Sequence, residues 1–176
     1  LEIGAGCPVY GNNTYLLESE FGWNGISIDI VSDTVDRFNL NRKNKAVLAD
    51  ALVVDYKELL STNNLPNSID YLQLDCDPPE VTYGILLKIP FDTYKFGVIT
   101  FEHDSYAFPS SPYQDKSREY LRKLGYVLAV SNVSPMRNKP FEDWWIHPDI
   151  VDIESLKQIG DLKNNITNES NTILLS

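Results

Sequence analysis

The sequence predicts an α/β fold: a mostly parallel sheet with helices on both faces and an antiparallel strand pair near the C-terminal end. Three observations carry that prediction. Short β-branched or aliphatic runs recur at fairly even intervals, at 1–3, 25–30, 46–49, 69–74, 96–101 and 126–130. Polar stretches of helix length, able to carry the 3.6-residue period, separate them at 14–20, 34–42, 56–60 and 117–124. After Val130 the alternation stops, and two strand-like runs are joined without a helix.

Each element has a local justification. The first run ends in Gly4-Ala5-Gly6, a turn that breaks a strand sharply. The stretch 117–124 ends in Gly125, a helix-stop residue, immediately before the next apolar run. Strands alternating with helices at this pitch make βαβ units, whose parallel sheet is covered on both faces. Residues 132–140 form a polar, proline-bracketed connection, and 141–147 an aromatic run that supplies the last strand. Domain organisation is simple: one domain over 1–160, then an Asn-rich tail over 161–176 that is expected to fray. Asn165-Ile166-Thr167 and Asn168-Glu169-Ser170 match glycosylation sequons, triplets that arise often by chance.

Charge narrows the function classes. Fifteen Lys and Arg face twenty-five Asp and Glu among 176 residues, a formal charge of -10. That balance repels phosphate backbones and anionic lipid and disfavours an extensive nucleic-acid or membrane surface. No apolar run reaches the ~18 residues of a membrane span. The two cysteines, Cys7 and Cys76, exclude a disulfide-stapled scaffold and a four-cysteine zinc site; they read as small core residues of a cytoplasmic protein. No basic stretch or signal peptide precedes Leu1, and an opening inside a core strand suggests that residues are missing upstream.

The chemistry gathers at successive strand ends. Gly4 and Gly6 let a ligand approach the backbone closely, as in nucleotide-binding βαβ units. A dinucleotide fingerprint would need a third glycine where Val9 stands, so the ligand wanted is nucleoside-like and lacks a pyrophosphate. Asp29, ending the second strand, can accept from both hydroxyls of a ribose, or can be a solvated strand end. Asp50, ending the third, can accept from an adenine amine with Ala51 and Leu52 flanking the ring, or can cap a helix.

The series Glu2-Ile3-Gly4-Ala5-Gly6, Asp29, Asp50 and Asp75 resembles the class I S-adenosylmethionine-dependent methyltransferases, which are Rossmann-like. More narrowly, residues 1–29 together with Phe101-Glu102-His103-Asp104, Ser117-Arg118, Leu124-Gly125-Tyr126 and Glu142-Asp143-Trp144-Trp145 resemble the FkbM-type branch. The resemblance runs from Leu1 to about Val151. It implies S-adenosylmethionine as cofactor, with the Gly4–Gly6 loop under its methionine part. Glu2 would steady that loop or the ligand's amino group, Asp29 would hold the ribose, and Asp50 and Ala51 would face the adenine. It also implies methylation of a hydroxyl on a small molecule or glycan, and a family domain with helices before its first strand, which this chain lacks.

Methyl transfer to a hydroxyl needs alignment and a proton acceptor. Asp75, Asp77, Glu102, His103 and Asp104 stand at two adjacent strand ends. In one reading Asp75 or His103 takes the proton, His103 because an imidazole suits neutral pH. In another, Mg²⁺ binds Asp75 or Asp77 with Glu102 or Asp104 and lowers the hydroxyl's pKa. In a third these side chains only cap loops. Asp77-Pro78-Pro79 is also similar to a strand end of base amino-methylating enzymes, with Glu80 where those carry an aromatic residue. Of Trp144 and Trp145, adjacent in a strand, at most one faces the core. Arg118, Arg122 and Lys123 read as a solvated helix face. The rival from another class is a non-catalytic nucleoside-binding or interaction module; an NAD-dependent enzyme is the third reading.

Overall fold

A computed structural model describes residues 1–134 and 139–152 of the chain. The Asn-rich tail and its two sequons lie outside the described residues.

Seven strands form one sheet: β1 (Glu2–Ile3), β2 (Ile26–Asp29), β3 (Lys45–Leu48), β4 (Ser68–Leu74), β5 (Lys95–Glu102), β6 (Val127–Val133) and β7 (Glu142–Ile146). Five helices alternate with the first six: α1 (Tyr15–Ser19), α2 (Ser32–Asn41), α3 (Tyr56–Thr62), α4 (Pro79–Leu86) and α5 (Tyr113–Lys123). The strand order is β3-β2-β1-β4-β5-β7-β6. The first five strands pair parallel, and β7 runs antiparallel to both neighbours. The predicted antiparallel pair is present, but β7 inserts between β5 and β6 and leaves β6 at the edge. Two features of the chain explain this. The β6 sequence is broken by irregular pairing after Leu128 and again after Val130, as suits an edge strand. The Glu142–Ile146 run is mostly buried, as suits an interior one.

Helix α4 is absent from the sequence expectation. It begins with Pro79 at its first position, where a missing N–H costs nothing, and Asp77-Pro78-Pro79 reads locally as loop. Gly84 within it lies where an added Cβ would come 3.0 Å from the Leu52 side chain.

The two-residue period of the strands divides the sheet by face. Ile3, Ile28, Leu72, Leu74, Ile99, Phe101 and Trp145 form the main core with Leu60, Ile85, Leu86 and Leu121 from α3, α4 and α5. On the opposite face, register places Ser27, Glu2, Gln73, Thr100 and Trp144 side by side across five strands. That row is polar: Ser27 Oγ donates to Glu2 Oε2 at 2.6 Å, and the Tyr71 and Thr100 hydroxyls are 2.8 Å apart. A small second core of Ala5, Val35, Phe38 and Ala46 seats α2. Gly4, Asp29, Asp50, Asp75 and Glu102 stand at or just beyond the carboxyl ends of their strands, where parallel sheets place ligands.

Candidate cofactor and acceptor site

The glycine loop is built by close backbone approach. Gly4 has φ +88°, and an added Cβ would stand 1.7 Å from the Asp75 carbonyl oxygen, so the ends of β1 and β4 meet only with glycine there. Gly4 and Ala5 N–H both donate to Ile28 O, at 3.0 and 3.1 Å, folding the loop over the end of β2. Gly6 has φ +53° with open space on its Cα side, leaving room for a ligand against the backbone.

Asp29 joins that loop to the next turn. Its Oδ2 accepts from Gly6 N–H at 3.0 Å and its Oδ1 from Val31 N–H at 2.8 Å. A carboxylate has about four acceptor sites, so two remain to meet a vicinal diol. Asp50 Oδ1 accepts from Leu52 N–H at 2.9 Å, and the Ala51 carbonyl accepts from Tyr56 OH at 2.7 Å. Asp29 and Asp50 thus close turns at adjacent strand ends. The N-terminal capping weighed for Asp50 belongs to Asp55, whose side chain accepts from Glu58 N–H at the start of α3.

Glu2 is 1 % exposed and lies beneath the loop. Its Oε2 accepts from Ser27, and its Oε1 from Asn12 Nδ2 at 3.1 Å; the same Asn12 Nδ2 donates to Ala5 O at 2.8 Å. Burial raises the Glu2 pKa, while the Ser27 and Thr14 hydroxyls and Arg42 lower it. Its carboxylate faces the underside of the loop.

The five acidic and imidazole groups predicted to cluster are divided by the strand period. Glu102 and His103 are consecutive and point to opposite faces. Glu102 is in hydrogen-bonding contact with Asp75 and Asp104, and Asp104 with Asp77. Two carboxylates share a hydrogen bond only when one carries a proton. Burial, and then Asp75, hold the Glu102 pKa far above the usual carboxylate range. Asp104 (φ +47°) is raised by burial and by Asp77 and Asp75. Behind them Glu142 is raised to about 7, chiefly by burial, with the Trp144 indole N–H donating to its Oε1 and opposing the rise.

His103 sits on the α5 face and its side chain is fully buried. Its Nδ1 accepts from Ser105 N–H at 3.2 Å, and its Nε2 lies 2.9 Å from Gln114 Nε2 and 3.7 Å from Asp143 Oδ1. The ring is enclosed by α5 and β7. Asp143 is held by Arg118 through two hydrogen bonds, 2.7 and 2.9 Å, and by the Asn132 N–H. Burial opposes its ionisation, yet His103, Arg118 and Asn132 outweigh that and lower it to about 2.

Several expectations are corrected. Arg118 is an ion-pair residue, since α5 turns it toward buried Asp143. Arg122 and Lys123 are exposed, as expected of a solvated helix face, Arg122 with its guanidinium 5.7 Å from the ring of buried Trp145 and Lys123 paired with Glu119. Cys7 is exposed because the loop carries it outward past Gly6, and Cys76 is half-buried. No group of three or more His, Cys, Asp or Glu among the described residues is arranged to hold a metal ion. The Mg²⁺ expectation therefore finds no support among the described residues. Asn12, Arg42 and Gln114 were not singled out from the sequence; only Asn12-Asn13-Thr14 ahead of a helix carried a local signal, that of a turn.

A shallow cleft of about 290 Å³ opens beside this edge, lined by Pro79, Glu80, Tyr113 and the 108–111 loop. Tyr113 packs against Tyr83 with ring centroids 5.4 Å apart.

This chain matches no protein-family model, and none of the curated proteins significantly. It is similar to solved structures. A proposed rRNA-methylase from Clostridium thermocellum superposes with a TM-score of 0.50 at 17% identity, over 82% of this chain and 86% of that one. SMU.1697c, a proposed methyltransferase from Streptococcus mutans in complex with SAH, gives 0.50 at 15% identity over the same shares. The fold is the Rossmann-like methyltransferase fold. Dnmt2 methyltransferase from S. pombe is also similar, with a TM-score of 0.47 at 21% identity; the match spans 69% of this chain and 39% of that one. No helix among the described residues is long and apolar enough to cross a membrane.

Proposed function

We propose that this chain is an S-adenosylmethionine-dependent methyltransferase that methylates a hydroxyl oxygen on a small molecule or sugar. The observation that carries the reading is the coupling of Asp29 to the glycine loop. One carboxylate fixes Gly6 N–H and Val31 N–H and keeps acceptor capacity for ribose hydroxyls, beside a Gly6 with open space over it. Such a site fits a nucleoside without a pyrophosphate. Gly4, Gly6 and Glu2 would shape the bed of the methionine part, and Asp50 and Ala51 would border the adenine. The FkbM-type resemblance of Phe101-Glu102-His103-Asp104 and Glu142-Asp143-Trp144-Trp145 supports an oxygen acceptor.

When bound, the sulfonium supplies an activated methyl group and its own leaving group. What remains for the protein is alignment and removal of the hydroxyl proton. Asp75, next to the loop and half-buried, is the residue we assign to receive that proton. Glu102, whose pKa burial and Asp75 hold far above the usual carboxylate range, presents a hydrogen-bond donor to an acceptor oxygen, with Asp104 beside it. His103 acts from behind, holding the Ser105 N–H and the 103–105 turn in place. The net charge of -10 speaks against a polyanionic acceptor.

Calorimetric titration with S-adenosylhomocysteine tests the reading. Micromolar binding is expected, and Asp29→Ala should weaken it by about 1.5–3 kcal/mol, the scale of a hydrogen bond to a charged group. A folded wild-type chain that takes up no S-adenosylhomocysteine, or an Asp29→Ala variant of unchanged affinity, would reject it.

A further inference from the structure

The glycine loop is held from a direction its own sequence does not reveal. Arg42 follows the last residue of α2, in extended conformation, and its side chain is 1 % exposed. Its guanidinium donates to four acceptors on four residues of the segment after the loop. Nη1 reaches Pro8 O at 3.0 Å and Asn12 Oδ1 at 2.9 Å, Nη2 reaches Thr14 Oγ1 at 3.1 Å, and Nε reaches Glu18 Oε2 at 2.9 Å. The same group stacks 4.6 Å from the Phe38 ring and 5.4 Å from the Tyr15 ring. Glu18 is fixed in turn by the Lys43 N–H at 2.6 Å.

The decisive link is Asn12. With its Oδ1 occupied by Arg42, by the Thr14 N–H and by the Thr14 hydroxyl, its amide cannot turn over. Nδ2 is thereby committed to Ala5 O at 2.8 Å, in the middle of the Gly4-Ala5-Gly6 turn, and to Glu2 Oε1 at 3.1 Å. The next N–H after that carbonyl is Gly6 N–H, the donor to Asp29 Oδ2. Orientation therefore passes from Arg42 through Asn12 to the peptide that meets Asp29. A planar, five-donor guanidinium can do this, whereas a lysine ammonium cannot span the same acceptors.

We propose that Arg42 is the positioning residue of the glycine loop, setting the Ala5–Gly6 peptide through Asn12 for the nucleoside cofactor. The inference rests on the cofactor reading above. It makes two separable claims: Arg42 orders the loop in the free protein, and that order sets cofactor affinity.

The test uses wild type, Arg42→Lys, Asn12→Ala and the double variant, with two readouts. Amide hydrogen exchange reports the loop without any ligand, and titration with S-adenosylhomocysteine reports affinity. Arg42→Lys and Asn12→Ala should each accelerate exchange at Ala5 and Gly6, leave β4 and β5 amides protected, and weaken binding about tenfold or more. The double variant should bind no worse than the weaker single, because both act along one path. Should Arg42→Lys not fold, Asn12→Ala carries the test, since it leaves the Glu18 pair and the Phe38 stack intact. Unchanged exchange at Ala5 and Gly6, or losses in affinity that simply add, would overturn the proposal. A wild-type chain that ignores S-adenosylhomocysteine while its variants loosen the loop would instead reject the cofactor reading and retain the role of Arg42 in ordering the loop.

Discussion

Gly4 shows how one side-chain hydrogen can decide a fold. Its φ of +88° is unfavourable for any L side chain, and the space a Cβ would need is filled by the Asp75 carbonyl. That carbonyl cannot withdraw cheaply, because the Asp75 N–H donates to Ile3 O at 3.0 Å and locks the β4 end to β1. Gly4→Ala should therefore cost more than about 3 kcal/mol in urea unfolding, the sum of backbone strain and a forced shift of two strand ends. Gly6→Ala meets only the strain, since nothing stands within 4 Å of its Cβ position, and should cost about 1–2 kcal/mol. Equal losses for the two variants would contradict the close approach at Gly4. The sequence announced both glycines alike; only their neighbours tell them apart.

At the scale of elements, the five parallel strands were legible because strands covered on both faces leave apolar runs, while β6 and β7 were legible as an aliphatic and an aromatic run joined without a helix. Helix α4 was not legible, because its Pro-Pro start and internal Gly84 read as loop until tertiary packing is known. The strand-end cluster was half legible. Acidic residues at the ends of β4 and β5 were visible in the sequence, but consecutive residues of a strand separate, so Glu102 joined Asp75 while His103 joined Asp143 across the sheet. The α5–β7 junction that results is an ion-pair site whose pH behaviour has a defined sign. The Asp143 pKa is lowered from 3.8 to about 2, so its contribution is present above the unfolded value and is lost as pH falls through about 2. Asp143→Asn should destabilise the chain by about 2 kcal/mol at neutral pH, a value below that of a fully buried pair because Arg118 is 18% exposed. In urea unfolding the gap between wild type and variant should close between about pH 4 and pH 2. A gap independent of pH would mean that Asp143 acts by shape alone.

Across the whole molecule, the opposite face of the sheet carries the opposite linkage. Glu2, Glu102, Asp104 and Glu142 all have raised pKa values in the folded chain. Folded protein therefore holds protons that unfolded protein releases, and stability must fall as pH rises from the unfolded carboxylate value through the raised ones. Glu142 gives the clearest window. Its pKa moves from 4.5 to about 7, so its share of the loss, on the order of 3 kcal/mol, develops between those values and is complete above them. Opposed to the acid-side loss from Asp143, this places maximum stability on the acid side of neutrality. Glu142→Gln keeps an oxygen for the Trp144 indole and removes the titrating group. Its stability should therefore gain on wild type from about pH 5 to pH 8, read as a diverging pair of urea midpoints. Parallel midpoints across that range would mean that Glu142 is already ionised in the folded chain and that the polar row beneath the site holds a charge, against the burial that surrounds it.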